Sequence, residues 1–163
     1  MYQLIHWSHR KIERLQQVRQ PMHAYKPRGL WVSDESDYGW RQWCEDNQYS
    51  CGKFAYPVQL ASHHNILIIS SVKELIEFTE TFLYDHQWIQ QIDWYRVAKQ
   101  YDGILISPYL GTFGPDNHLN WYYGWDCASG CIWNPHSITL GKEMLCEHDC
   151  FRHHNNDMDD MEY

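Results

Sequence analysis

The sequence predicts an α+β fold in a single domain, residues 1–145, followed by a polar, acidic tail, residues 146–163. Two observations favour this class: short strand-like and helix-like segments alternate irregularly, and no strand–helix unit repeats at an even spacing. A chain of 163 residues is long enough for one core of ordinary size and short for two domains. The tail offers little to bury, so we expect about its last ten residues to be disordered.

Four strands are predicted in the first half of the chain, where apolar and β-branched residues cluster between turn-forming ones; they cover residues 2–8, 29–33, 54–60 and 65–71. Between the first two, Ile12, Leu15 and Val18 recur at every third position. This spacing predicts a turn or a helical start over residues 9–18, ended by Pro21.

Two helices are predicted between and after these strands. One covers residues 37–48, with Ser36 or Asp37 as its cap; Trp40, Trp43 and Cys44 lie on one of its faces. The clearer helix covers residues 71–82, where Ser71 is a natural N-cap and Glu74 completes a capping box.

The second half of the chain begins with a third predicted helix, residues 88–100, whose inward positions would be Trp88, Ile92, Tyr95 and Val97. Next comes the stretch from Tyr101 to Ile138, in which "YDGILIS" and "GCIWN" are predicted strands. The connection between these strands is rich in aromatic residues. We expect most of them to pack in the core and one or two to line a pocket.

Charge, hydropathy and cysteine content argue against several classes of function. A net charge of −8 with 13 Lys and Arg argues against a nucleic-acid partner held by phosphate contacts, although basic residues concentrated near the N-terminus leave room for a small anion site. No apolar run is long enough to span a membrane, and the N-terminus lacks a signal-peptide core. We therefore expect a cytoplasmic protein whose six cysteines are mainly free, buried thiols.

A zinc-stabilised interaction protein is one alternative. Two Cys-x3-Cys pairs stand close to several histidines, and the set comprises Cys127, Cys131, Cys146, Cys150, His148, His153 and His154. Structural zinc sites usually space their paired cysteines more closely, and Cys131 lies in a predicted strand. We therefore predict no metal site and expect the histidines of the tail to be solvated.

The order of several short motifs resembles the ADP-ribosyltransferase-like fold, which diphtheria-toxin-like and poly-ADP-ribose-polymerase-like enzymes share. "HWS" at residues 6–8 is similar to the family's first-strand motif, and "GLWVS" at 29–33 to its Gly-x-Tyr-Phe segment. "YDGI" and later "CIWNPHSI" resemble the family's last helix–strand–hairpin–strand arrangement. The resemblance covers residues 2–140 and implies a split mixed sheet with flanking helices.

The resemblance implies an enzyme that takes NAD as a substrate and moves ADP-ribose to a macromolecule. Breaking the nicotinamide–ribose bond builds positive charge on the ribose, so a nearby carboxylate should stabilise the transition state. We assign this role to Asp126. His6 would assist catalysis by hydrogen-bonding a ribose hydroxyl.

The same resemblance implies five NAD-binding residues, of which His6 is one and four others follow. Trp31 would stack on the nicotinamide ring, since it stands where the family has an aromatic residue. Ser8 would bind the adenosine ribose and Arg28 the pyrophosphate, and Gly29 would open the strand that carries Trp31. The acidic composition makes a protein the expected acceptor, and the small size would suit a phage, viral or bacterial effector.

One departure from the family supports a second alternative, a catalytically inactive module of the same fold that binds a nucleotide or a protein partner. When "WNP" is aligned with the family's "FNP", the catalytic glutamate falls at Ser129 or Gly130. The nearest acid is Asp126, three or four residues earlier.

Overall fold

The computed structural model describes residues 1–86, 89–113 and 118–146. The strands are β1 (Leu4–Ser8), β2 (Leu30–Asp34), β3 (Phe54–Leu60), β4 (Ile66–Ile69), β5 (Leu83–His86), β6 (Ile89–Ile92), β7 (Gly103–Ile106), β8 (Ser129–Ile132), β9 (Ile138–Leu140) and β10 (Met144–Leu145). The helices are α1 (Trp40–Asn47), α2 (Val72–Phe82) and α3 (Trp94–Ala98), and two 3₁₀ turns cover Asn120–Gly124 and Pro135–Ser137. The fold is therefore mixed α+β, as predicted.

Eight strands form one mixed sheet in the order β10-β3-β1-β2-β8-β7-β4, with β9 also paired to β3. β4 and β7 are parallel, whereas the other neighbours in this sheet are antiparallel. β5 and β6 form a separate two-stranded hairpin. β1 pairs with β3 along five positions but with β2 at only two, Leu4↔Asp34 and Ile5↔Ser33. The pairing of β1 with β2 therefore stops before the end of β1.

Alternation along the strands divides the apolar residues between two faces of the sheet. Ile104 and Ile106 point into an aromatic-rich cluster built with α2 and α3, while Leu105 points into a smaller aliphatic cluster. We call the first the aromatic core; its fully buried aromatic members include Trp94, Trp121 and Trp125. The cavity described below is lined by Trp31, which packs against this core.

The start of α2 confirms its predicted N-cap. The Ser71 side chain accepts a hydrogen bond from the Glu74 amide at 3.3 Å. The Glu74 carboxylate reaches back to the amide and hydroxyl of Ser70, one residue before the cap, at 2.7 and 2.9 Å. The reciprocal half of the predicted capping box is thus displaced by one residue.

The predicted cap of α1 is wrong. The helix begins after Gly39, and no side chain caps it. Ser36 instead hydrogen-bonds Asp34, and the Asp37 carboxylate accepts the Tyr109 amide at 3.1 Å. These two residues therefore belong to a turn that ties β2 to the β7–β8 connection.

The third predicted helix is also wrong in its extent. Residues 89–92 form β6, and α3 begins only at Trp94, capped by the Asp93 side chain. Ile92 and Val97 are buried as expected, but Tyr95 is exposed. Trp88, which was predicted to point inward, lies outside the described residues. The tail that was predicted to be disordered also lies outside them, apart from its first residue, Cys146.

Residues 9–18 do not form a helix; they lie outside the helices and strands. The Ile12 amide donates to the Tyr56 hydroxyl at 3.1 Å, and the Val18 amide donates to the Trp133 carbonyl at 2.9 Å. We call residues 10–19 the strap. Its three apolar residues are half-buried and its basic residues are exposed, so the three-residue apolar spacing buries one side of an irregular segment here and does not produce a helix.

Candidate functional site

A cavity of about 350 Å³ lies where β1, β2 and the start of β8 meet. Its walls combine indole rings, thiols and a few charged side chains, and the lining residues that matter most for its chemistry are Trp7, Trp31, Ser33, Trp40, Lys26 and Asp126. This volume is near the lower end of small-molecule pockets, which span roughly 300–1,000 Å³. The cavity is therefore large enough for a small ligand, such as one aromatic ring joined to one sugar.

Strand alternation explains which side chains of β1 and β2 reach the cavity. Ile5 pairs with Ser33, so Trp7 and Trp31 lie on the same face as this pair. The Trp31 ring lies 5.0 Å from that of Trp125, and the Lys26 ammonium lies 5.5 Å from the Trp31 ring centroid. The buried Trp125 therefore supports an indole that faces the cavity.

Glu35 lies behind this wall, and its carboxylate accepts hydrogen bonds from two residues of the wall. Its Oε1 accepts the Trp7 indole N–H at 2.9 Å and also accepts the Ser33 hydroxyl proton. A side chain at Gly39 would approach within 2.8 Å of the Glu35 carboxyl group. The absence of a side chain at position 39 thus leaves room for the carboxylate.

Asp126 is held at the cavity by a segment with several fixed points. The preceding Trp125 is buried and donates its indole N–H to the Ser129 carbonyl at 3.0 Å. The Ala128 amide donates to the Tyr38 carbonyl at 2.7 Å, and the Ala128 carbonyl accepts the Asp34 amide at 2.8 Å. Asp126 itself is half-buried and lines the cavity.

Lys26 brings a positive charge to the same region. A Cβ atom at Gly124 would lie 2.7 Å from Cε of Lys26, so the lysine stem runs along the glycine. The residue is exposed, and its ammonium lies over the Trp31 ring. A ligand that stacks on Trp31 from that side would displace the Lys26 ammonium. The displaced ammonium would remain near enough to pair with an anionic group of the ligand.

The thiol of Cys127 on the cavity wall is chemically quiet. Burial raises its pKa to about 12, and the Ser129 hydrogen bond opposes this only in part. A thiol with such a pKa is protonated at neutral pH and is a poor nucleophile. Cys44, behind the cavity, has its pKa raised to about 12 for the same reason. Neither Cys127 nor Cys44 is therefore a good nucleophile in this arrangement.

Two of the residues implicated from sequence, Trp31 and Asp126, line this cavity together. His6 does not. Its position in β1 pairs with Tyr56, and its Nδ1 contacts the Trp31 carbonyl at 2.6 Å. Burial lowers its pKa, which the Trp31 hydrogen bond only partly offsets. His6 is thus placed to link β1 to β2 through the backbone of Trp31.

The other three implicated residues also lie outside the cavity wall. The Ser8 hydroxyl donates to the Arg10 carbonyl at 2.6 Å, and the Arg28 backbone is held by the Gln20 side chain at 2.6 and 2.9 Å. Gly29 has a φ of 149°, and a Cβ there would lie 2.4 Å from the Ile132 carbonyl oxygen. Gly29 therefore permits β2 to approach β8 closely.

Sequence reasoning missed Trp7, Ser33, Glu35 and Lys26. The signal for Trp7 was the alternation of β1, since residues 5 and 7 share a face that residues 6 and 8 do not. That signal was ambiguous because Leu4 and Ile5, one on each face, are both apolar. The contacts of Glu35 and Lys26 depend on how segments that are distant in the sequence pack together. A local sequence pattern does not show this.

The structure gives no support to a zinc centre in the residues it describes, among which no three His, Cys, Asp or Glu side chains gather closely enough to hold a metal. Cys131 is buried in β8 and its thiol donates to the Pro27 carbonyl at 3.8 Å. Cys150, His148, His153 and His154 lie outside the described residues.

Comparisons with known proteins leave the site to be interpreted from its own geometry. No protein-family model, no curated protein and no solved structure matches the chain. Within the described ranges, none of the helices has the length and apolar character needed to cross a bilayer.

Proposed function

We propose that this chain is a mono-ADP-ribosyltransferase that takes NAD as its substrate and transfers ADP-ribose to a protein. One observation carries the proposal: Trp31, in the segment that resembles the family's Gly-x-Tyr-Phe motif, and Asp126, the acid nearest to the position of the family's catalytic glutamate, line one cavity. These two residues are far apart in the sequence. The cavity that they share, about 350 Å³, is large enough for the nicotinamide–ribose end of NAD.

The aromatic and charged residues suit the nicotinamide–ribose end of NAD. Trp31 would stack on the nicotinamide ring, with Trp125 supporting it from within the aromatic core. The cavity is too small for the whole dinucleotide, so the pyrophosphate would lie at the mouth. There Lys26, which sequence reasoning had not selected, can pair with a phosphate oxygen.

The reaction would proceed by cleavage of the bond between ribose C1′ and the nicotinamide nitrogen. The electron pair leaves with nicotinamide, which becomes neutral, and positive charge develops on the ribose. The Asp126 carboxylate would stabilise that charge. A nucleophile of the acceptor then bonds to C1′ and loses its proton. His6 has no part in this step because it lies outside the cavity wall.

The direct test is NAD turnover by the purified protein. We expect nicotinamide release, and ADP-ribose transfer when a lysate supplies the acceptor, both followed by mass spectrometry. Asp126→Asn should lower release by at least about 100-fold, the typical effect of losing one stabilising group of this kind. Glu77→Gln, an exposed substitution on α2, is the control and should retain the wild-type rate.

Two results would contradict this proposal. One is an Asp126→Asn variant that folds normally and keeps the wild-type rate. The other is a wild-type protein that neither binds NAD nor releases nicotinamide.

A nucleotide-binding module without catalysis is the second candidate, and a specific observation favours it. At the positions where the family's catalytic glutamate is expected, Ser129 donates its hydroxyl to the Cys127 carbonyl at 3.1 Å and Gly130 has no side chain. Neither residue offers a carboxylate. Tight NAD binding without nicotinamide release, unchanged in Asp126→Asn, would select this function over the transferase.

A further inference from the structure

The hydrogen bonding of Ser33 constrains what the cavity can recognise. Ser33 lies on β2, only 3% exposed, and lines the cavity. Its hydroxyl donates to Oε1 of Glu35, the same oxygen that accepts the Trp7 indole N–H at 2.9 Å. Among the residues that the structure describes, the other acceptor for this hydroxyl is the Ile5 carbonyl at 3.5 Å, the outer limit for a hydrogen bond.

A serine hydroxyl has one proton and two lone pairs. Because the proton is given to a carboxylate, the oxygen of Ser33 can offer a ligand only lone pairs. A hydroxyl that donates to a charged acceptor is also polarised, which makes its oxygen a better acceptor. This part of the wall therefore favours ligand groups that carry N–H or O–H donors.

The surrounding charges reinforce that preference. Glu35 stands behind Ser33, and Asp126 lies on the cavity wall. The lysine on that wall, Lys26, is exposed, so solvent screens its attraction for an anion. A ligand carboxylate directed at Ser33 would face the lone pairs of the Ser33 oxygen, with the negative charge of Glu35 behind them. Ser33 would offer it no hydrogen-bond donor.

We propose that Ser33 and Glu35 together make the cavity selective for a flat ring bearing a neutral carboxamide, and exclude the corresponding carboxylate. Ser33 accepts the amide N–H, while Glu35 is a positioning residue that fixes the direction of the Ser33 hydroxyl and repels anions. This inference rests on the proposed function because it names nicotinamide as the head group. It does not require that the chain catalyse any reaction.

The test uses two small molecules that differ in this one group, nicotinamide and nicotinate, at neutral pH where nicotinate is an anion. Their binding to the full chain would be measured by ligand-observed NMR titration. We expect nicotinamide to bind at least about tenfold more tightly, because a site built for an N–H donor rejects an analogue that lacks one. Equal affinities, or tighter binding of nicotinate, would overturn the inference.

Two substitutions separate the two roles. Ser33→Ala removes the acceptor, so it should weaken nicotinamide binding at least about fivefold and leave nicotinate excluded. Glu35→Gln removes the charge and nearly preserves the shape, so nicotinate should bind more tightly and the difference between the ligands should shrink to about threefold or less. Glu77→Gln serves as the matched control and should keep the wild-type selectivity.

The outcomes distinguish this inference from the transferase proposal. If nicotinamide is preferred and Glu35→Gln relaxes the preference, the selectivity stands even when NAD is not turned over. If NAD is turned over but both ligands bind alike, the selectivity fails and the transferase survives. A folded protein that binds neither ligand, or a Glu35→Gln variant with unchanged selectivity, rejects the inference. Thermal melting of each variant checks that the fold is retained.

Discussion

Tryptophans occupy two regions of this molecule with different consequences. In the aromatic core, Trp94, Trp121, Trp125 and Trp133 are at most 3% exposed, and the rings touch one another. At the cavity, Trp7, Trp31 and Trp40 are half-buried and form walls. The same residue type therefore fills space in one region and encloses it in the other.

The indole N–H groups show a related difference. In the aromatic core each reaches an uncharged oxygen: the acceptors are Ala24 O for Trp94, Thr79 Oγ1 for Trp121, Ser129 O for Trp125 and Tyr101 O for Trp133. At the cavity, Trp7 differs because it donates to the Glu35 carboxylate, while Trp40 donates to the Cys51 carbonyl. A tryptophan bound to a charged partner beside a cavity is a better functional candidate than one satisfied by the backbone and packed on all sides.

The largest effect on stability should come from the aromatic core. Trp94→Ala removes a fully buried ring that lies 5.8–6.4 Å from the rings of Trp121, Trp125 and Trp133. It also leaves the Ala24 carbonyl without its indole donor. We expect the free energy of unfolding to fall by about 3–5 kcal/mol, measured by urea denaturation.

Trp7→Ala is the matched substitution at the cavity. Because Trp7 is half-buried and belongs to neither core cluster, its loss should cost about 1 to 2 kcal/mol. It should instead weaken nicotinamide binding. If Trp7→Ala destabilised the fold as much as Trp94→Ala, the distinction between the two regions would be wrong.

The next effect concerns Asp34, which lies at the end of β2 and is 1% exposed. Burial alone would raise the pKa of its carboxyl, but hydrogen bonds from the Ser36 and Ser107 hydroxyls and from the Gln3 and Ser36 amides outweigh burial and lower the pKa. Asp34→Asn replaces an accepting oxygen with a donor. We expect a loss of about 1–3 kcal/mol at neutral pH.

The same carboxyl predicts a pH dependence. Its folded pKa lies below that of an unfolded aspartate, about 3.9, so its stabilising contribution is complete above that pH and is lost as the pH falls through the folded value. Asp34→Asn should therefore flatten the decline in melting temperature at acid pH. Ser107→Ala, which removes one donor, should give a smaller change in the same direction. An unaltered acid decline in Asp34→Asn would refute this role.

Much of the sheet was predictable because its strands are locally encoded. Residues 54–60 form β3 with the predicted bounds, β1, β4 and β7 lie within the predicted strands, and β2 and β8 overlap theirs with a shift of one or two residues at the ends. The helix prediction over residues 71–82 was confirmed, but the one over residues 9–18 failed because three apolar residues at a spacing of three are weak evidence for a helix. The Ile12 and Val18 amides instead donate to Tyr56 and Trp133, and the segment forms no helix.

The candidate site was predictable only in part. Trp31 was selected through a motif and Asp126 as the acid nearest to the family's catalytic position, and both line the cavity. His6 and Ser8 were chosen from the face of β1 that points away, since one residue of offset reverses every side chain of a strand. The hydrogen bond from Ser33 to Glu35 joins two residues that are close in the sequence, at the end of β2. Its place at the cavity wall becomes clear only from Trp7, which also bonds Glu35 and lies 28 positions away from it.

The smallest effect is expected in the strap, which crosses between the two clusters of buried residues. Lys11 forms a salt bridge to Glu143 at 2.9 Å, yet its side chain is 64% exposed, and such surface pairs add little stability. Lys11→Met should leave the melting temperature unchanged within error. Leu15→Ala removes a contact with the aliphatic cluster and should cost about 1 kcal/mol. A larger loss in Lys11→Met than in Leu15→Ala would mean that charge, and not apolar burial, holds the strap.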